Sequence, residues 1–259
     1  MGILNVTPDS FSDGGRHNDP GAATAAAKQM VLDGADIIDI GGESTRPGAA
    51  DVSVDDELQR VIPVIEALTN LDVTLSIDTS KPAVMQAAAA AGAGMINDVR
   101  ALRSPGALEV AVACDLPVCL MHMQGQPRTM QQAPHYNNVV GEVAAFLRER
   151  VETCSQAGLD PSLLVLDPGF GFGKTTQHNL CLLKELRSLA DLGHPVLIGL
   201  SRKRIFGTLL GTAVDDRVHA SVAAALMAVE RGASVVRVHD VRETAHAIGI
   251  YKAVEMGIR

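Results

Sequence analysis

Almost every short β-rich run in this sequence finishes in a polar side chain able to do chemistry. Asn5 closes GILN, Asp39 lies in DIIDIGG, Asp78 closes TLSID, and Asn97 with Asp98 follows MI. His122 follows PVCLM, Asp167 closes LLVLD, Lys203 stands just beyond PVLIGLSR, and Arg237 and His239 alternate in SVVRVHD. Acids and amides together suit a flat heterocycle, because a carboxylate accepts two parallel N–H bonds from an amidine-like edge. Arg46, Arg237 and His239 suit a phosphate or diphosphate, and residues two apart on a strand share a face. Any one of these residues could be an ion-pair partner or a helix cap. A complete set at strand ends points instead to one small-molecule site, for a substrate with a polar ring and an anionic tail.

The elements that must position this set alternate from end to end. Strands are expected from Gly2, Asp36, Thr74, Met95, Pro117, Leu163, Pro195 and Ser234, eight in all. Helical patterns cover 22–32, 54–68, 82–91, 106–113, 139–156, 179–189, 216–231 and 241–255. Strands alternating with helices predict βα units and a parallel sheet. Eight such units in 259 residues predict an α/β fold of the (β/α)8, or TIM-barrel, type, with an open doubly wound sheet as the alternative. In a barrel all eight C-terminal strand ends open onto one face, where active sites are built, and phosphate is often bound near strands seven and eight. No linker, charge block or short repeat divides the chain, so residues 1–259 are expected to form a single domain.

Composition narrows the function classes. The chain is 47% hydrophobic and 20% charged, enough for a sizeable core and unlike a disordered polymer. A formal charge of −8 argues against a broad nucleic-acid-binding face. With no Trp, two Tyr and five Phe, rings are too few for base-stacking platforms. No apolar run reaches the ~18 residues of a membrane span, and MGILNVTPDSF lacks the basic start and apolar core of a secretory signal. Cys114, Cys119, Cys154 and Cys181 form no C-x-x-C pair or finger spacing and read as reduced thiols of a cytoplasmic protein.

Four segments need separate weighing. PGFGFGKTT, from Pro168 to Thr176, resembles a phosphate loop, but that pattern requires Gly where Pro168 stands. It reads better as a wall whose glycines let the backbone approach a ring, with Phe170 or Phe172 against it. Lys203 could form a Schiff base once desolvated. Flanked by Arg202 and Arg204, and with Asp167 expected across the mouth, it reads better as a charged donor. NVTPDSFSDGG (5–15) and GGESTRPGA (41–49) are polar loops directly after strands one and two, where lids are found.

Taken in order, MGILNVTPDSFSDGG, GGESTRPGA, SIDTSKP, INDVRAL, MHMQG, DPGFGFGK, LSRKR and RVHDV resemble the signature segments of bacterial dihydropteroate synthases. The resemblance runs from Met1 to about Val254. It implies a pterin-binding barrel enzyme, a transferase of folate biosynthesis. Such an enzyme condenses 6-hydroxymethyl-7,8-dihydropterin diphosphate with 4-aminobenzoate to give 7,8-dihydropteroate and diphosphate, and is a sulfonamide target. By that resemblance Asp78, Asn97, Met121, Asp167, Phe172 and Lys203 hold the pterin. Asn5, Thr45, Arg46, Arg237 and His239 hold the diphosphate, with Asn5 as the protein's ligand to Mg²⁺. Phe11, Thr45, Arg46, Pro47, Lys203 and Arg204 form the aminobenzoate pocket. Asp13 and Asp78, together with Lys203, serve catalysis in a dissociative reaction whose cationic methylene the two acids stabilise.

The resemblance also implies a homodimer packed through outer helices, with Ala223–Val229 as a candidate face. Position 204 carries Ser or Arg in the family and is Arg here. Met1 stands inside the first expected strand, where relatives carry a further short segment, so an upstream piece that helps close the barrel floor is expected. TPDSFSDGG with Phe11 is unaltered, which implies sulfonamide sensitivity. The competing class is the corrinoid-linked methyltetrahydrofolate methyltransferases, which share pterin acids and amides. They have no need of STRP, LSRKR and RVHDV for a diphosphate.

Overall fold

The structure is a computed structural model that describes residues 1–7, 20–44, 51–125 and 129–257. Eight parallel strands run in chain order: β1 (Gly2–Asn5), β2 (Ile37–Gly41), β3 (Thr74–Asp78), β4 (Met95–Asp98), β5 (Val118–Met121), β6 (Leu164–Asp167), β7 (Leu197–Ile198) and β8 (Val235–Val236). β1 to β6 form one continuous parallel sheet, and β7 pairs with β8. Parallel pairings of Leu166 with Val196 and of Gly2 with Val238 join the two pieces into a ring. At the second seam Ile3 N–H donates to the Val238 carbonyl at 3.0 Å, and Val238 N–H to the Met1 carbonyl at 2.9 Å. The expected (β/α)8 barrel is therefore the observed fold.

Helices cover the ring: α1 (Pro20–Leu32), α2 (Val54–Leu68), α3 (Pro82–Ala91), α4 (Ala107–Cys114), α5 (Val139–Gln156), α6 (Thr176–Lys184), α7 (Arg187–Ala190), α8 (Arg204–Leu210), α9 (Val218–Glu230) and α10 (Val241–Met256). Their ends follow local chemistry. Ser53 caps α2 by accepting from Asp56 N–H, and Asp55, Asp56 and Glu57 favour the positive end of its dipole. α3 starts with Pro82, which has no N–H to leave unsatisfied, and stops at Gly92 in the left-handed conformation. The pattern expected over 179–189 is two helices, α6 and α7, separated by Glu185 and Leu186. α8 is short and was not expected as a helix at all.

Strand alternation sorts the side chains into two populations. Ile38, Ile40, Ile77, Ile96, Leu120 and Leu166 point outward into the main core beneath the helices. Met1, Met95, Cys119 and Leu197 point inward and pack with Ile37, Val165 and Val235 as a separate apolar cluster. That cluster floors the barrel interior. The inward positions further along the same strands are Asn5, Asp39, Ser76, Asp78, Asn97, Met121 and Asp167, so the lumen turns polar toward its mouth.

The four cysteines are unpaired thiols, and burial raises the Cys119 thiol well above its ordinary range. Among the described residues, no helix is long and apolar enough to cross a membrane.

Candidate active site

Arg237, on the stretch just after β8, spans the lumen. Its Nε donates to Asp39 Oδ2 at 2.5 Å and its Nη2 to Asp78 Oδ2 at 2.6 Å. Asp39 is fully buried and also accepts from Ser76 Oγ at 2.6 Å and Asn97 Nδ2 at 3.0 Å. Five residues, from three strands and the stretch after β8, thus form one hydrogen-bonded network. Arg237 was expected as an anion binder; two of its donors are already given to carboxylates, which hold the guanidinium in place. Burial raises the Asp78 carboxyl to about 7, Arg237 pulls it down, and Asp39, Asp98 and Glu57 push it up.

On the opposite wall, Asp167 accepts from Gly169 N–H at 2.7 Å. Burial raises its pKa, while the Gly169 N–H and the charges of Lys203, Lys174 and Arg237 favour the ionised form. Lys203 precedes α8, with its ammonium 4.4 Å from the centre of the Phe172 ring. Burial lowers its pKa to about 8, with Asp167 and Asp78 opposing that and Arg237 adding to it. Met121 packs with Val99, Met123, Met130 and Phe172 beside them. Phe170 lies in the outer core instead, so Phe172 is the ring that lines the pocket. The structure therefore brings together Asp78, Asn97, Met121, Asp167, Phe172, Lys203 and Arg237.

His239 borders this pocket with its ring fixed by Ser201 Oγ, 2.9 Å from Nδ1. Arg204 begins α8 as an exposed residue. Asn5 ends β1 with a partly exposed side chain that has no hydrogen-bond partner among the described residues. No cluster of three or more His, Cys, Asp or Glu side chains able to hold a metal occurs among them. The amide oxygen of Asn5 is a hard donor, the type that suits an ion which keeps several waters and leans on substrate phosphates. Phe11, Asp13, Thr45, Arg46 and Pro47 lie outside the described residues.

Two of the polar strand ends face away from the lumen. Asp98 follows inward-facing Asn97, so alternation turns it outward, where it accepts from Ser80 Oγ and from the N–H groups of Arg100 and Leu102. His122 follows inward-facing Met121 and packs edge-on against Phe146. Both organise loops rather than join the site. Asp39 was noted only as a polar strand residue, although it is the acceptor that ties the network together. The available signal was its parity: it shares an inward face with Gly41, whereas its neighbours Ile38 and Ile40 point out.

This barrel, with acids, amides and cations converging at one end, matches a known class along most of the chain. The chain belongs to the pterin-binding enzymes, whose family description matches residues 1–239. It is 53% identical over 254 residues to the dihydropteroate synthase of Escherichia coli (strain K12), covering 98% of this chain and 90% of that relative. Two solved structures superpose closely. The Yersinia pestis dihydropteroate synthase, in a sulfonamide drug complex, gives a TM-score of 0.95 at 53% identity, covering 99% of this chain and 94% of the other. The Xanthomonas albilineans dihydropteroate synthase with 4-aminobenzoic acid gives 0.94 at 55% identity, covering 98% and 92%. Within the pterin-binding enzymes, this chain falls among the dihydropteroate synthases, which are transferases, and not among the corrinoid-linked methyltransferases.

Replacing Arg237 by Met leaves Asp39 and Asp78 facing each other across an apolar stem. The expected loss is about 3 kcal/mol of stability in urea melts at pH 7, partly recovered by adding Asp39→Asn. A loss below about 1 kcal/mol would class the pair with weak surface bridges.

Proposed function

We infer that this chain joins 6-hydroxymethyl-7,8-dihydropterin diphosphate to 4-aminobenzoate, giving 7,8-dihydropteroate and diphosphate, a step of folate biosynthesis. The observation that carries the reading is the lumen network of Asp39, Asp78, Asn97 and Arg237, with Asp167 and Lys203 facing it, in a chain more than half identical to the Escherichia coli dihydropteroate synthase over nearly its whole length.

The chemistry of each residue fits a role. Asp167 accepts from the amino and ring N–H groups of the pterin. Lys203 donates to the ring carbonyl and the neighbouring nitrogen. Asn97 both donates and accepts along the remaining edge. Met121 and Phe172 offer apolar surface to the ring faces. Arg237 and His239 lie toward the mouth, where the diphosphate extends, and Thr45 and Arg46 complete that subsite. Asn5 would hold Mg²⁺ together with the substrate's phosphates. Mg²⁺ supplies positive charge that stabilises the departing diphosphate.

The C–O bond to the diphosphate breaks first, and its electron pair leaves with the bridging oxygen. The pterin methylene is left cationic, its charge spread over the conjugated ring. Asp78, with Asp13 from the first loop, stabilises that charge electrostatically. The neutral aromatic amine of 4-aminobenzoate then forms the C–N bond and releases its proton to solvent or to the diphosphate. No dedicated base is required. Phe11, Thr45, Arg46, Pro47, Lys203 and Arg204 form the aminobenzoate pocket, and a sulfonamide, which resembles this substrate, competes there.

The chain also acts as a cytoplasmic homodimer in this reading. Support comes from the four unpaired thiols, which suit a reducing compartment, and from exposed apolar side chains on the outer helices, namely Leu210 of α8, Met227 of α9 and Ile250 and Val254 of α10. Within the expected Ala223–Val229 face, Ala224, Ala225 and Ala228 turn toward the barrel, and Ala223 and Met227 are the exposed members. Light scattering is expected to give about twice 27.2 kDa; a single-chain mass would refute the dimer.

The deciding assay follows diphosphate release from the pterin diphosphate with Mg²⁺. Release that requires 4-aminobenzoate, yields dihydropteroate, stops on chelation and is inhibited competitively by sulfamethoxazole is the expected result. Failure to form product with folded protein overturns the reading, and release that survives chelation removes Mg²⁺ from it.

The pH profile tests Lys203 separately. Its ammonium, titrating at about 8, donates to the pterin only when protonated. So kcat/KM for the pterin is expected to fall as pH rises through about 8. Lys203→Arg keeps its charge across that range and is expected to lose this alkaline limb. An unchanged limb in the variant would assign the titration to another group.

A further inference from the structure

The loop after β6 carries a second lysine that the reaction does not use. Lys174 is 3% exposed, and its ammonium is held against the outward-facing His122. Nζ lies 2.9 Å from His122 Nδ1, 2.9 Å from the Gly169 carbonyl, 3.0 Å from the Phe172 carbonyl and 3.4 Å from the His122 carbonyl. An ammonium has three donors and no acceptor. Here they meet one imidazole at the end of β5 and the backbone of the loop. The ring that receives it is set by an edge-on contact with Phe146 and a tilted one with Tyr136.

The rest of the loop is held with equal completeness. Asn179 Oδ1 accepts from Gly171 N–H at 2.7 Å, Gln131 donates to the Gly171 carbonyl, and Tyr136 donates to the Gly173 carbonyl at 2.9 Å. Gly169, Gly171 and Gly173 all take positive φ. A Cβ on Gly169 would run into the His122 carbonyl oxygen, so the loop is seated directly on the end of β5. The Phe172 side chain emerges from this framework under the Lys203 ammonium. Gly171 lies beneath the Lys203 stem, where a Cβ would come within 3.2 Å of Cδ.

We propose that Lys174, seated on His122, is a positioning residue for pterin recognition: it fixes the Gly169 and Phe172 carbonyls and so sets the wall on which Phe172 and Lys203 meet the pterin ring. The inference rests on the pterin diphosphate being the substrate. His122 thereby gains a role that its outward direction would otherwise leave open. Both residues act through the loop and touch no reacting atom, so pterin affinity depends on them selectively.

The test compares wild type, Lys174→Met and His122→Phe. Methionine keeps most of the stem and removes the donors; phenylalanine keeps the ring against Phe146 and removes the acceptor. Binding of the pterin diphosphate can be followed by pterin fluorescence, unobscured because the chain has no Trp. In folded Lys174→Met, the Kd and KM for the pterin diphosphate are expected to rise at least tenfold. The KM for 4-aminobenzoate, measured at saturating pterin, is expected to change less than twofold. His122→Phe shows the same selectivity with a smaller rise, since the three carbonyl contacts of Lys174 survive.

Pterin constants within twofold of wild type in folded Lys174→Met overturn the proposal. So does a parallel decline of kcat, both KM values and melting temperature, which would mark a purely structural lysine. If Lys174→Met does not fold, His122→Phe decides by the same readouts; if neither folds, the pair serves the fold and the proposal fails. A folded wild type that makes no dihydropteroate defeats the functional reading instead.

Discussion

The charge network inside the barrel constrains everything around it. Each ion taken out of water costs several kcal/mol after relaxation, and only a well-placed partner offsets that cost. Arg237 holds Asp39 and Asp78 together, and Ser76 and Asn97 occupy further acceptor sites on Asp39. The apolar floor of Met1, Met95, Cys119 and Leu197 supports the network from below. Strand register then becomes a functional matter, because a slip of one residue would carry Asp39 and Asn97 outside and bring isoleucines into the lumen. Such a network is a weak source of stability compared with apolar packing of the same volume. Its value lies in presenting fixed charges to a substrate.

The balance of those charges favours the chemistry. Asp39, Asp78 and Asp167 face the lumen against Lys203 and Arg237. Burial raises Asp78 and Asp167, so both carboxyls resist carrying charge inside the lumen. In the proposed reaction, positive charge developing on the pterin methylene reverses that resistance at Asp78 and favours its carboxylate. The same burial lowers Lys203 and leaves its proton labile until an acceptor on the substrate holds it. Transition-state stabilisation of this kind requires dipoles and charges fixed before the reaction, which the network supplies.

Much of this was legible in the sequence because it depends on local rules. Helix α2 occupies the expected span because Ser53 and three following acids define its start. The eight strands were visible as β-rich runs, and their polar ends identified the open face. Parity within those runs was needed to separate Asn97 from Asp98 and Met121 from His122, and strand ends alone do not carry it. Helix α8 was hidden because its seven residues include Gly207 and follow a segment dense in charge. The network's centre was harder to read. Asp39 and Arg237 are 198 residues apart and meet only because the ring closes between β8 and β1.

Lys174 shows the limit of motif reading from another side. GFGFGK has the glycines and lysine of an anion-binding loop, and in such loops the lysine faces the ligand. Here the order of residues is similar but the geometry is reversed. Alternating left-handed glycines turn the backbone so that Phe172 faces inward and the lysine lies behind, against the end of β5. The ammonium then meets no ligand; it gathers the loop's own carbonyls and an imidazole, and burial lowers both Lys174, to about 7, and His122, to about 3. A neutral imidazole is the form that can accept at Nδ1, and burial favours that form at His122; at Lys174 burial opposes the charge and Asp167 favours it. Side-chain direction, which φ at three glycines determines, decides whether such a lysine binds a substrate or builds the wall that does.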